Sequence, residues 1–281
     1  MKSIFLIIKG FFMGLANLIP GVSGGTIAIT LGIYDKLISC ISHFFTNIKE
    51  NIKFIIPIVI GIALSILTLS KVISFCLDKY LFPTIMFFIG SIIGGIPMLY
   101  KKISKHKTNI IDLLILILSI VFVISVTFIV GDNIVSLQSL SLFGYIKLLL
   151  VGVIASATMV IPGISGSAVL MTLGYYEPII NILKDLTNFS NLGYNLSILI
   201  PFGIGVLMGI ILIAKLIEYL FKKYEVKTYY AIIGFVISSV ISIIMQNFIM
   251  NGLVKLNLIE TIIGVILFVV GYLIAYKLGD K

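Results

Sequence analysis

The chain has 281 residues, 60% of them hydrophobic and 11% charged, with a mean hydropathy of +1.23. Its net charge of +9 comes from lysine alone, because no arginine occurs. Apolar runs follow one another with only short polar joints, which excludes a soluble domain; the basic excess belongs to loops beside a membrane and gives no warrant for a nucleic-acid partner.

The first apolar segment, Ile4 to Ile19, follows Lys2 as a signal peptide would. Lys9 interrupts it, however, and it leads directly into Pro20-Gly21-Val22-Ser23-Gly24-Gly25-Thr26, so it is read as part of the working protein. The segments Ile27 to Phe45, Phe54 to Leu77, Leu81 to Tyr100 and Ile110 to Gly131 complete a first set of five. A second set of five comprises Tyr145 to Ile161, Val169 to Leu183, Leu196 to Phe221, Tyr229 to Met250 and Leu258 to Leu278. Cys40 and Cys76 lie in or beside these runs without metal-ligand spacing.

The two sets are copies. The first motif returns as Pro162-Gly163-Ile164-Ser165-Gly166-Ser167-Ala168, and at the same offset Gly10 matches Gly152, Thr30-Leu31-Gly32 matches Thr172-Leu173-Gly174, Tyr34 matches Tyr176 and Asp35 matches Glu177. Further along, Pro57 and Gly61 match Pro201 and Gly205, Lys71 matches Lys215, Lys79-Tyr80 matches Lys223-Tyr224, Gly90 matches Gly234, and Asp112 matches Glu260. The chain therefore divides into repeats over 1–140 and 141–281.

Lysines orient them. The joints with Lys101, Lys102, Lys105 and Lys107, with Lys222, Lys223 and Lys227, and with Lys49 and Lys53 belong inside, as do Lys277 and Lys281. The joint from Asp132 to Phe143 has no lysine and belongs outside, and counting crossings puts the joint Lys184 to Asn195 outside as well. Each motif-bearing pair then starts and finishes on one side, the first inside and the second outside. The expected fold is an all-α integral membrane protein of two inverted repeats, each a re-entrant hairpin (about 4–45 and 145–183) plus three transmembrane helices, ending near 131 and 278. The arm before the first motif is short, about 16 residues or roughly 24 Å if helical, which favours hairpins whose tips meet near mid-membrane.

Each motif is poor helix: proline lacks a donor, and glycine and serine disfavour helix interiors. Such backbone at membrane depth belongs where it lines a wet cavity, and two breaks in corresponding positions point to a transporter's binding site. Glycine amides, hydroxyls and a helix start suit a phosphate or carboxylate. The expected anion donors are Ser23, Gly24, Gly25 and Thr26 in the first copy and Ser165, Gly166 and Ser167 in the second. Asp35 and Glu177 are candidates for proton coupling; Lys71 and Lys215 are read as snorkelling to the interface. His43 and His106 have no partner at useful spacing, and Gly90 with Gly94 and Gly205 with Gly209 read as helix packing.

The run Gly14-Leu-Ala-Asn17-Leu-Ile-Pro20-Gly21-Val-Ser23-Gly24-Gly25-Thr26, followed by Gly32-Ile-Tyr34-Asp35, resembles the motif of the bacterial polyprenyl-phosphate translocases. The second copy, Pro162 to Ser167 with Gly174-Tyr-Tyr176-Glu177, fits the same pattern. The resemblance spans nearly the whole chain. It implies a multi-pass plasma-membrane protein that returns undecaprenyl phosphate from the outer to the inner leaflet for cell-envelope synthesis, with inverted repeats and re-entrant segments. It also implies that Asn17, Pro20, Gly21 and Tyr34, with Pro162, Gly163 and Tyr176, help to hold that lipid. No catalytic group, metal or cofactor is expected, and the oligomeric state is open. Two rivals remain. A polyprenyl-pyrophosphate phosphatase resembles the same scaffold but carries an arginine after the motif serine and acids in the first arm, and this chain has Gly24 and Gly166 after the serines and no acid from Ile4 to Ile19. A small-anion transporter on the same scaffold is not excluded by periodicity.

Overall fold

Long leucine- and isoleucine-rich runs become helices because in lipid only a helix satisfies every backbone group within one segment. The computed structural model describes residues 2–19, 22–128, 135–137, 140–164, 166–187, 191–250 and 257–279. Its first half contains α1 (Lys2–Asn17), α2 (Gly24–Thr30), α3 (Tyr34–Ser42), α4 (Ile48–Lys79), α5 (Leu81–Ile103) and α6 (Ile110–Phe128). The second contains α7 (Leu142–Val160), α8 (Gly166–Thr172), α9 (Tyr176–Thr187), α10 (Leu192–Ile244) and α11 (Leu258–Gly279), with a π turn at Met245–Met250 after α10. Among the described residues, α4, α5, α7, α10 and α11 are each long and apolar enough to cross a membrane. Their outer faces stay apolar, as at Leu67 and Leu207, which are 79% and 64% exposed, as lipid contact requires.

Tyr224 breaks α10 with φ −137° and ψ 48°, leaving limbs 192–223 and 225–244. Its repeat mate Tyr80, between α4 and α5, has nearly the same backbone, φ −135° and ψ 50°. One copy of the turn thus ends a helix and the other sharply bends one, with the same local geometry.

Glycines set the helix pairs. A Cβ on Gly10 or Gly61 would strike the Ile58 or Ile7 carbonyl, and one on Gly152 or Gly205 would strike the Phe202 or Leu149 carbonyl. Only glycine permits these approaches of α1 to α4 and of α7 to α10. In both pairs the contacts advance together along the chain: Gly10 and Gly14 meet Ile58 and Ile62, and Leu149 and Val153 meet Gly205 and Gly209. The paired helices are therefore parallel, and the chain must double back between Asn17 and Ile48 and again between Val160 and Leu192. One crossing point is reciprocal: Gly14 of α1 faces Ser65 of α4, whereas Ser156 of α7 faces Gly209 of α10.

The last helix of each half packs on the other half. Gly90 and Gly94 of α5 lie against Phe268 and Tyr272 of α11, while Gly234 in the second limb of α10 lies against Leu116 and Ser119 of α6. The glycine pairs read as packing positions in the sequence do pack. These contacts also fix directions. The first limb of α10 ends at the face where α5 ends and α6 begins, because the Thr108 and Tyr230 hydroxyls meet there at 2.7 Å. α4 ends at the opposite face, where α5 begins. The pairs α1 with α4 and α7 with α10 thus run in opposite senses.

The sequence predicts one arm from Ile27 to Phe45; the structure has two helices, α2 and α3, bent by 119°. Gly32 at φ +69° ends α2, with its amide on the Ile29 carbonyl and the Ile33 amide on the Ala28 carbonyl. Gly174 at φ +75° repeats this, with Gly174 bonded to Met171 and Tyr175 to Leu170. This left-handed helix ending satisfies orphan carbonyls and favours glycine. The repeated Thr-Leu-Gly is thus a stop, and it places Tyr34 and Tyr176 at the first position of the next helix.

Candidate functional site

The two motifs meet. Thr26, fully buried in the first turn of α2, accepts the amide of Gly163 at 2.9 Å and lies 3.3 Å from the Ser239 hydroxyl. Gly163 has φ +86°, and a Cβ there would come within 2.5 Å of the Phe235 carbonyl. Tyr34, 4% exposed, donates its hydroxyl to the Val160 carbonyl at 3.0 Å, tying the start of α3 to the end of α7. Side chains of α2 and α3 therefore hold the second motif and the helix end just before it.

Around these ties lies a cavity of about 550 Å³. Asn17, Ser23, Gly24, Gly25 and Tyr34 line it from the first half, with Gly166 and Tyr176 from the second. Ser23 precedes α2 in extended conformation, φ −100° and ψ 131°. It is 6% exposed and makes no capping bond, so its hydroxyl has no protein partner among the described residues. The Gly24 amide is already engaged, donating to Asn17 Oδ1 at 3.0 Å. The amides of Gly25 and Thr26 precede the first intrahelical bond, from Ile27 to Ser23, and so have no helical acceptor. No lysine, aspartate or glutamate lines the cavity among the described residues. Its remaining wall is largely apolar, including Met13, Ile38, Met159 and Met171.

The other expected site residues fall in different places. Thr26 serves as a tie and does not line the cavity. Pro162 lines a second, apolar cavity shared with Tyr34. Asp35 stands in the first turn of α3 and accepts the Tyr229 hydroxyl at 2.8 Å, with Lys102 lining the same narrow gap. Glu177 stands in the first turn of α9 and is exposed. Acids at a helix start are favoured by the backbone dipole, so this placement needs no coupling role to explain it. Pro20, Gly21 and Ser165 lie outside the described residues, as does the Ser167 side chain.

His43 and His106 have partners: His43 Nδ1 is 3.3 Å from Glu218, and His106 Nε2 is 3.0 Å from Asp112, which also accepts the Asn109 amide. Folding brings His43 to a residue far along the chain, and Asp112 turns back from the start of α6. Lys9 does more than interrupt an apolar run. It is 7% exposed and donates to the Leu31 carbonyl at 2.7 Å, capping α2 from α1. A lone charge in an apolar run was the available signal.

A family profile described as undecaprenyl phosphate translocase-like matches residues 13–257. A polyprenyl-phosphate transporter of Staphylococcus aureus is 35% identical over 97% of this chain and 95% of its own length. One of Vibrio cholerae is 32% identical over 78% and 70%, respectively. An undecaprenyl-diphosphatase of Clostridium tetani is 31% identical over only 37% of this chain and 40% of its own. No solved structure matches.

Proposed function

Because the chain belongs to the undecaprenyl phosphate translocase-like family, we propose that it moves a polyprenyl phosphate across the bacterial plasma membrane and that the cavity between the two motifs receives the phosphate. The observation that carries this is Ser23, a residue 6% exposed whose hydroxyl has no protein partner among the described residues, on the wall of that cavity beside Gly25. A hydroxyl on the cavity wall that is not engaged by protein is available to donate to a phosphate oxygen. The uncharged lining suits a site that must release its cargo, since a permanent cation at depth would hold a phosphate tightly.

The reading includes two inverted repeats with re-entrant hairpins. The parallel register of α1 on α4 and of α7 on α10, with the chain doubling back after each motif, supports hairpins that enter and return on one side. The opposed senses of the two pairs support inversion. In this picture the headgroup crosses at the tips, from the outer to the inner leaflet, and Asp35 and Glu177 are the groups on which proton coupling would act. Transport is favoured over phosphatase chemistry because the chain has no arginine to stabilise a transferring phosphoryl group.

The test is movement of labelled undecaprenyl phosphate across proteoliposomes, with and without a pH gradient. The expected result is protein-dependent movement, reduced about tenfold by Ser23→Ala, the loss expected for one hydrogen bond to a charged group. Release of inorganic phosphate from undecaprenyl pyrophosphate would turn the reading to the phosphatase, and movement of inorganic phosphate alone to the small-anion transporter.

A further inference from the structure

A second cavity, of about 470 Å³, opens between the two limbs of α10, within the roughly 300–1,000 Å³ typical of small-molecule sites. Ile213 and Leu220 of the first limb, Ala231 and Phe235 of the second and Ile115 of α6 give it apolar walls. Most of its polar groups gather at one end, beside the Tyr224 break, where Tyr224, Lys227 and Thr228 form the rim. Thr228 is engaged, its hydroxyl donating to the Tyr224 carbonyl at 2.9 Å. Lys227 is half-buried, 5.6 Å from the Tyr224 ring centroid, and has no carboxylate partner among the described residues. At the other end the cavity reaches Ile161, Pro162 and Tyr34. Tyr34 also lines the motif cavity, so its ring is a shared wall.

The occupant this shape fits is an amphiphile with one anionic end and a hydrocarbon body. A soluble anion would leave the walls unmatched, and a neutral lipid would leave a half-buried ammonium without a counter-charge. We infer that this cavity is a second seat for the same polyprenyl phosphate, with the phosphate on Lys227 and the first isoprene units running inward along α10 to Pro162 and Tyr34. The inference rests on the reading above that the substrate is a polyprenyl phosphate. It differs from a picture in which the whole tail stays in bilayer lipid: the headgroup-proximal tail is held by protein at the lysine-rich face. A lipid passing between the two seats must move past Tyr34, whose bond to the Val160 carbonyl closes the partition.

The chain has no tryptophan, so Leu220→Trp places a single reporter in the cavity. Protein in nanodiscs of zwitterionic lipid would be titrated with farnesyl phosphate, farnesol and inorganic phosphate. The expected result is a saturable emission change with farnesyl phosphate, about tenfold weaker binding of farnesol or after adding Lys227→Gln, and no response to inorganic phosphate. Equal affinity for farnesol, or indifference to Lys227→Gln, overturns the seat. Because the reporter itself occupies space, wild-type protein is also labelled with a diazirine-bearing farnesyl phosphate and the adducts are mapped. Adducts on both limbs of α10 support the seat. Their absence from α10 in protein that still transports undecaprenyl phosphate overturns it and leaves the transporter reading standing. Adducts on α10 in protein that moves no lipid keep the seat as a binding site and remove transport.

Discussion

Thr26 shows how one hydroxyl can carry an architecture. It receives an amide from a residue 137 positions away and meets a hydroxyl 213 positions away. Thr26→Val keeps the shape but leaves the buried Gly163 amide without an acceptor, a cost of about 1–3 kcal/mol. Thermal unfolding in detergent should fall by several degrees, whereas Thr26→Ser, which retains the oxygen, should stay close to wild type; a Thr26→Val variant as stable as wild type, with the loss confined to Thr26→Ser, would mean that the methyl group matters and the hydrogen bond does not. Asp35 invites a paired test. Tyr229→Phe removes only the hydroxyl that Asp35 accepts, so if that bond positions the acid, Tyr229→Phe and Asp35→Asn should slow transport alike and their double variant should add little. An effect of Asp35→Asn alone would instead mark the charge as the working part. Ser23, Gly24, Gly25 and Gly166, which line one cavity, stand out in the sequence because unusual backbone at membrane depth needs a reason. The roles of Thr26, Tyr229 and Lys9 stay hidden there, since each is defined by a partner that only the tertiary fold brings near.

At the level of helices, the spacing of Gly90 with Gly94 and of Gly205 with Gly209 is legible in the sequence as packing, though the helices they meet are not. What the pattern could not convey was direction within an arm. Thr30-Leu31-Gly32 sits inside an apolar run, and a lone glycine there is compatible with a continuing helix; only its positive φ and the two reversed amide bonds reveal a stop. The reciprocal Gly14–Ser65 and Ser156–Gly209 crossings allow a sharper experiment. Gly209→Ser should destabilise, because its Cβ would overlap Ser156 Oγ and the Val153 carbonyl. Adding Ser156→Gly recreates the arrangement of the first half and should recover part of the loss, a coupling of about 0.5–3 kcal/mol for residues in contact. A double variant that loses the sum of both single effects would mean that the two crossings are not equivalent.

The whole molecule is interlocked, and this limits what its division at 1–140 and 141–281 means. α11 covers Gly90 and Gly94 of α5, and α6 covers Gly234 in the second limb of α10, so each half lacks the helix that completes one of its own packing faces. The halves are also joined by hydrogen bonds, Thr26 to Gly163 and Tyr34 to Val160. In the carrier proposed above, such an exchange of terminal helices would hold the halves together while the segments around the motifs shift. The shared packing predicts that neither half folds independently, although each carries five apolar segments. Expressed alone with an affinity tag, 1–140 should be degraded or aggregate in detergent, and 141–281 likewise. Co-expressed, the two should copurify in equal amounts and restore undecaprenyl phosphate movement in proteoliposomes. A single half that is monodisperse and melts cooperatively would contradict this, and would show that α5 and the second limb of α10 can be covered by a second copy of the same half.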